Sequence, residues 1–213
     1  MTSKNTSPRL RRIDESNRKD HSQLEDNDDC FFLLEYTARA GFNHGRTNNL
    51  ISNIKKSVDR RSKAEYQYKI LSMRDLALEL RKAVTPAKRP GEVWVPVPPS
   101  KARDDPLYDD RMLEILNIYS GGSGIDIREI VVQDQSMEPS RVLGALRPGQ
   151  EELLKNYRVD ERLCSPEPST IVVVDDVLTS GAHYKAMKTV LLRRFPESNI
   201  VGLFLARTIQ LSL

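Results

Sequence analysis

Apolar positions change their spacing twice along this chain, and each change marks a different kind of structure. Residues 1–29 hold only Met1, Leu10, Ile13 and Leu24 as sizeable apolar side chains among dense mixed charge. So little apolar surface does not offset ordering entropy, and a disordered tail is expected there. From Cys30 the apolar residues recur at three- and four-residue intervals, as Phe31, Leu34 and Ala38, then Leu50, Ile54 and Val58 after the Gly41–Gly45 break. A longer run near residues 63–84 aligns Tyr66, Ile70, Met73, Ala77 and Leu80 before Pro86 and Pro90 stop it. Residues 30–90 therefore read as a small helical region.

After Gly91 the pattern alternates between strands and helices. EVWVPVP is a short β-rich run, residues 105–120 read as a helix with Leu107, Met112, Leu113, Leu116 and Tyr119 inward, and IREIVVQ is a second strand. A polar stretch, 134–169, leads to TIVVVDD and, past a helix at 182–194, to NIVGLFLAR. Unbroken apolar runs of this length suit strands buried on both faces of a parallel sheet. Residues 91–213 are thus expected to form an open, mostly parallel α/β sheet behind the helical region and the tail.

Composition narrows the class without naming a function. The 213 residues are 38% hydrophobic and 30% charged, with a net charge of +3. No run approaches the roughly 18 apolar residues of a membrane span, and the N-terminus has no apolar leader core, so a soluble cytoplasmic protein is expected. Cys30 and Cys164 stand far apart, which argues against a disulfide scaffold or a zinc ribbon.

The chemistry concentrates in residues 171–183, IVVVDDVLTSGAH. An apolar strand delivers Asp175 and Asp176 to its carboxyl edge, where open α/β sheets bind ligands. Adjacent carboxylates repel, so hydroxyls or a cation should meet them, and neutralising both should leave the unliganded fold no less stable. Thr179, Ser180, Gly181, Ala182 and His183 then open a helix whose backbone N–H groups suit a phosphate, Gly181 allowing close approach. Acids for sugar hydroxyls beside a phosphate cradle describe a site for a phosphorylated pentose. The Walker and dinucleotide glycine patterns are both absent from the sequence.

This segment resembles the phosphoribosyl pyrophosphate (PRPP) signature of the type I phosphoribosyltransferases. WVPVPPSKARDD is similar to the first core strand and basic loop of their ComF-like branch. The resemblance covers about residues 91–208. It implies that Asp175 and Asp176 hold the ribose hydroxyls and stabilise the charge at C1′, and that residues 179–183 bind the 5′-phosphate. It assigns pyrophosphate to Ser100, Lys101 and Arg103, and a flexible hood to the 134–169 stretch, with Arg141, Arg147, Lys155 and Arg158 as its candidate cations. Arg207, past the last strand, is a weaker candidate for the leaving group or the acceptor. Mg²⁺ arrives on PRPP, bound through it and through Asp175 and Asp176 at most. His183 departs from the usual Thr or Ser, and Thr179 from the acid of purine-type enzymes, which makes purine salvage a poorer fit.

The implied reaction moves ribose 5-phosphate to an unidentified nitrogenous acceptor and releases pyrophosphate. Two other readings stay open: a PRPP- or nucleotide-sensing module without turnover, and a partner protein in DNA uptake, repair or phage defence. In the last, the basic helices between Arg60 and Arg89 would touch nucleic acid or another protein. A helix-turn-helix is the extreme form of that idea, but the turn is long and Tyr66, Tyr68 and Leu78–Leu80 read better as packing surface. A homodimer is expected.

Overall fold

The computed structural model describes residues 9–138 and 148–209. It is an α/β structure built on a five-stranded, mostly parallel sheet. In chain order its strands are β1 (Arg11–Arg12), β2 (Asp29–Thr37), β3 (Glu92–Pro96), β6 (Thr170–Leu178) and β7 (Asn199–Ile209). A separate two-stranded ribbon holds β4 (Val131–Gln133) and β5 (Tyr157–Val159). The order across the main sheet is β1-β2-β7-β6-β3, parallel except where β1 lies antiparallel on β2. Beyond β3 the chain adds one parallel bridge, Trp94 to Ile127, with the Trp94 N–H donating to Asp126 O and the Arg128 N–H to Trp94 O.

Helices cover both faces, as a parallel sheet requires. On one face lie α1 (Arg46–Ile54), α2 (Gln67–Ala83) and α3 (Arg111–Ser120). Their Ile51, Ile54, Leu76, Leu80, Ile115 and Leu116 pack on Leu33, Trp94, Val172, Val174 and Leu203 of the strands. The opposite face carries α4 (Gln150–Asn156), α5 (Ala182–Arg194) and the ribbon. There Tyr157, Ala186, Met187 and Leu191 pack on Phe32, Val93, Val95, Ile171, Val173 and Phe204. Alternate residues of β6 thus feed two separate cores, as the two-residue strand period dictates.

Two sequence expectations are corrected here. CFFLLEYT is not a helix but β2, paired in parallel with β7 from Asp29↔Val201 to Thr37↔Ile209. Four consecutive apolar residues fit a strand buried on both faces as well as a helix, and pairing with β7 decides between them. Of the 30–90 region, α1 and α2 are helical as expected, but β2 joins the sheet of residues 91–209, so the region is not purely helical. Second, residues 9–29 are not a disordered tail: Ile13, Leu24, His21 and Asp28 are all buried. Ile13 N–H donates to Cys30 O, and Gln23 N–H to Ser180 O at 2.9 Å. Asp28, with a fully buried side chain, holds Lys185 at 2.9 Å and Lys188 at 2.6 Å. A few well-placed anchors order this segment where bulk apolar content would not.

Smaller shifts follow from the same packing. The inner stripe of α2 is Lys69, Ser72, Met73, Leu76, Ala77 and Leu80, while Ile70 is exposed. Leu107 is also exposed and lies outside α3, although Met112, Leu116 and Tyr119 are buried as expected. IREIVVQ is divided between the bridge beside β3 and β4 of the ribbon.

Candidate functional site

A cleft of about 280 Å³ opens at the carboxyl edge of β2, β3 and β6. Its floor is Asp175 and Asp176 of β6. One wall is the turn after β3, Pro96–Lys101, and the other is the segment after α1 and the start of α3, with Lys55, Ser57, Asp109 and Arg111. Thr179 and His183 close the end towards α5, and Tyr36 of β2 lies on the rim.

The two acids are not equivalent. Asp176 is 5% exposed, with Lys55 Nζ 3.0 Å from Oδ1 and Arg111 Nη2 2.8 Å from Oδ2. Burial alone would raise its pKa, but the Lys55 and Arg111 charges outweigh that and hold it well below the ordinary carboxylate range. Among the described residues Asp175 accepts one hydrogen bond, from the Asp176 backbone N–H at 2.7 Å. Burial first, and the Asp176 charge second, push its pKa up to about 7. Near neutrality the floor therefore carries one firm negative charge and one carboxyl that titrates between its protonated and ionised forms.

The network extends away from the cleft. Arg111 Nη1 donates to Asp109 at 3.0 Å, and Lys69, buried on the inner face of α2, donates to both Asp109 oxygens at 2.7 Å and to Lys56 O. Three helices from the two sides of Gly91 are thus tied to the β6 acids. Sequence reasoning missed Lys55, Lys69, Arg111 and Asp109 altogether. The crowded YDDR run at the start of α3 was the one local signal that charge is being organised there.

The expected phosphate loop is divided in the structure. Thr179 and His183 line the cleft, whereas Ser180 and Gly181 lie against the 9–28 segment and Ala182 is buried outside the cleft lining. His21, 1% exposed, donates its Nδ1 proton to Thr179 O at 2.5 Å, and burial chiefly keeps it neutral. Gly181 has a φ of +94°, and a Cβ there would stand 2.8 Å from Leu24 Cδ2. The glycine thus answers to Leu24 packing and to a left-handed turn; no open phosphate approach is needed to explain it. His183 Nδ1 lies 2.8 Å from the Tyr157 hydroxyl, which burial and the nearby Asp175 keep protonated.

On the opposite wall Ser100 and Lys101 face the cleft as expected. Arg103 does not. It turns to Glu129 at 3.1 Å and Asp160 at 3.2 Å, which fastens the turn to the ribbon. Arg207 is also directed elsewhere, pairing with Asp20 and Glu35 and lying over the Phe32 ring. Of the hood cations, Arg158 pairs with Asp134 along the ribbon and Lys155 sits on α4; neither lines the cleft. Arg141 and Arg147 fall outside the described residues.

The basic stretch offered for nucleic acid is largely engaged within the chain. Arg60 pairs with Glu65, Lys82 with Glu79 and Arg89 with Glu92, while Arg81 caps the Tyr119 and Ser120 carbonyls. Among the described residues no helix is long and apolar enough to cross a membrane. Comparison of the chain with protein-family models and with curated proteins finds no match.

Proposed function

We propose that this cleft binds PRPP and that the protein is a phosphoribosyltransferase of the type I, ComF-like kind. It moves ribose 5-phosphate to a nitrogenous acceptor with release of pyrophosphate. One observation carries the reading. The paired acids of β6 form the cleft floor, between a hydroxyl and an imidazole opening α5 and the Ser100–Lys101 turn after β3.

In this reading both acids accept from the ribose hydroxyls, Asp176 as a permanent carboxylate and Asp175 in the ionised form it also takes near neutrality. Thr179 and His183 hold the 5′-phosphate at the start of α5, where the helix dipole favours an anion. Lys101 and Ser100 face the pyrophosphate, and Lys55 and Arg111, which already stand in the cleft, supply the positive charge first given to Arg103. The C1′–O bond breaks with its electron pair leaving on pyrophosphate, and the acceptor nitrogen forms the new C1′–N bond. Asp175, with a pKa near neutrality, is the carboxyl suited to take the proton that nitrogen loses.

Among the described residues no three acidic, His or Cys side chains are grouped as a metal site. Both oxygens of Asp176 are taken by cations. The residues fit a Mg²⁺ carried in by PRPP and touched by Asp175, and its chemistry would be to neutralise the leaving group.

The test is pyrophosphate release from PRPP in the presence of purines, pyrimidines and nucleoside phosphates. Release with one acceptor class, reduced at least a hundredfold in Asp175→Asn, is the expected result. PRPP binding without release for any acceptor would replace the enzyme by a sensing module, the reading that the departure at His183 favours.

A further inference from the structure

We propose that a second copy of this chain docks on the outer face of α2, the two helices running parallel about a two-fold axis. The inner face of α2 is buried in the core through Met73, Leu76, Ala77 and Leu80. Its outer face is apolar as well: Tyr68, Leu71 and Leu78 are 51%, 50% and 50% exposed. Tyr68, Leu71 and Leu78 lie on this face at the three- and seven-residue intervals of a helix–helix seam.

The charges in that seam select the orientation. Leu71 and Leu78, seven residues apart, lie almost on one line along the helix. At about 100° per residue, Arg74 and Asp75 sit midway between them, one on each flank. In an antiparallel pair the two-fold axis crosses the helices and returns every residue to its own flank. Arg74 would then face Arg74, and Asp75 would face Asp75. A parallel pair has its axis along the helices and exchanges the flanks. Leu71 then meets Leu71 of the partner subunit, Leu78 meets its equivalent, and each Arg74 faces the partner subunit's Asp75. The contact is self-complementary, as a two-fold interface requires.

Among the described residues Asp75 has one loose ion pair, 3.9 Å from Arg46, both side chains being more than half exposed. Lys69 lies on the opposite side of α2, towards Asp109 and the cleft, so this dimer leaves the cleft open. The inference is independent of the reading of that cleft. Two turns of helix bury less than the roughly 800 Å² per partner of a standard interface, so a dissociation constant on the order of tens of micromolar is expected.

Sedimentation equilibrium of the full chain from about 5 to about 300 µM, a range bracketing that constant, should show the mass rising from 24.3 kDa towards twice that value. Leu71→Glu should hold the protein monomeric throughout. Arg74→Asp should weaken association at least tenfold, and Arg74→Asp combined with Asp75→Arg should restore it, because the pair is re-formed with its signs exchanged. All three positions are exposed, so the variants should keep the wild-type melting point, which serves as the folding control. A wild type that stays at the single-chain mass overturns the proposal. So does a dimer indifferent to Leu71→Glu, or a double charge exchange that behaves like Arg74→Asp alone.

Discussion

Asp176→Asn is expected to lower the stability of the unliganded protein by about 3–5 kcal/mol, the cost of breaking a buried ion pair and leaving its partners uncompensated. Lys55 and Arg111 converge on that carboxylate, and an amide supplies a poorer acceptor and no charge. Its depressed pKa contributes stability that is present above the unfolded value near 3.8 and lost only as the pH falls through the still lower folded value. Asp175→Asn should do the opposite. The folded pKa of Asp175 is raised from 3.8 to about 7, so in that window the folded state keeps a proton the unfolded chain has released. Stability is fully present below the unfolded pKa and falls as the pH rises through about 7. Asparagine removes that loss, and the variant should exceed wild type at about pH 8 by an amount on the order of a few kcal/mol. The gain should shrink towards pH 4. Urea denaturation at acidic, neutral and alkaline pH checks both variants. Equal effects from the two substitutions would contradict the asymmetry of the pair.

Deleting residues 1–28 should also have a large effect. Ile13 and Leu24 lose their burial, each worth about 1.5–3 kcal/mol. The loop at Thr179–Gly181 loses the His21 and Gln23 hydrogen bonds. The truncated protein should unfold at markedly lower temperature and aggregate through the uncovered face. Gly181→Val tests the same contact at one point. It should destabilise through both its left-handed φ and the collision with Leu24. Adding Leu24→Ala should relieve only the collision. A truncated protein as heat-stable as the full chain would show that the segment does not support the loop.

The sequence was most readable where one physical requirement dominated. β6 and β7 are apolar without interruption because helices cover both faces of the sheet, and Asp175 and Asp176 stand out because charge ends such a run. β2 was misread because Phe31 to Leu34 carry no β-branched residue and no alternation, which leaves helix and strand equally open until β7 supplies the partner. The 9–28 segment was misread because its order rests on a few anchors, Ile13, His21, Leu24 and Asp28, and composition does not register position. Lys55 and Arg111 were hidden for another reason. Each looks like a solvated charge on its own helix, and only the docking of α1 and α3 on the sheet brings both to Asp176. The two acids therefore read as a symmetric, repelling pair, whereas the fold holds one firmly ionised and raises the pKa of the other. Arg103 shows the reverse error: adjacency to Ser100 and Lys101 in sequence does not fix the side of the turn a side chain takes.

The central claim is that this cleft holds PRPP, and the melting temperature with PRPP and Mg²⁺ tests it most directly. At about 100 times the dissociation constant, binding to the folded state alone adds roughly 2.7 kcal/mol. For a chain of this length that is an upward shift of about 5–10 °C. The account predicts that shift in the wild type and its loss in a folded Thr179→Val, Lys101→Ala variant. A wild type that is folded and shows no shift with PRPP and Mg²⁺ present would contradict it.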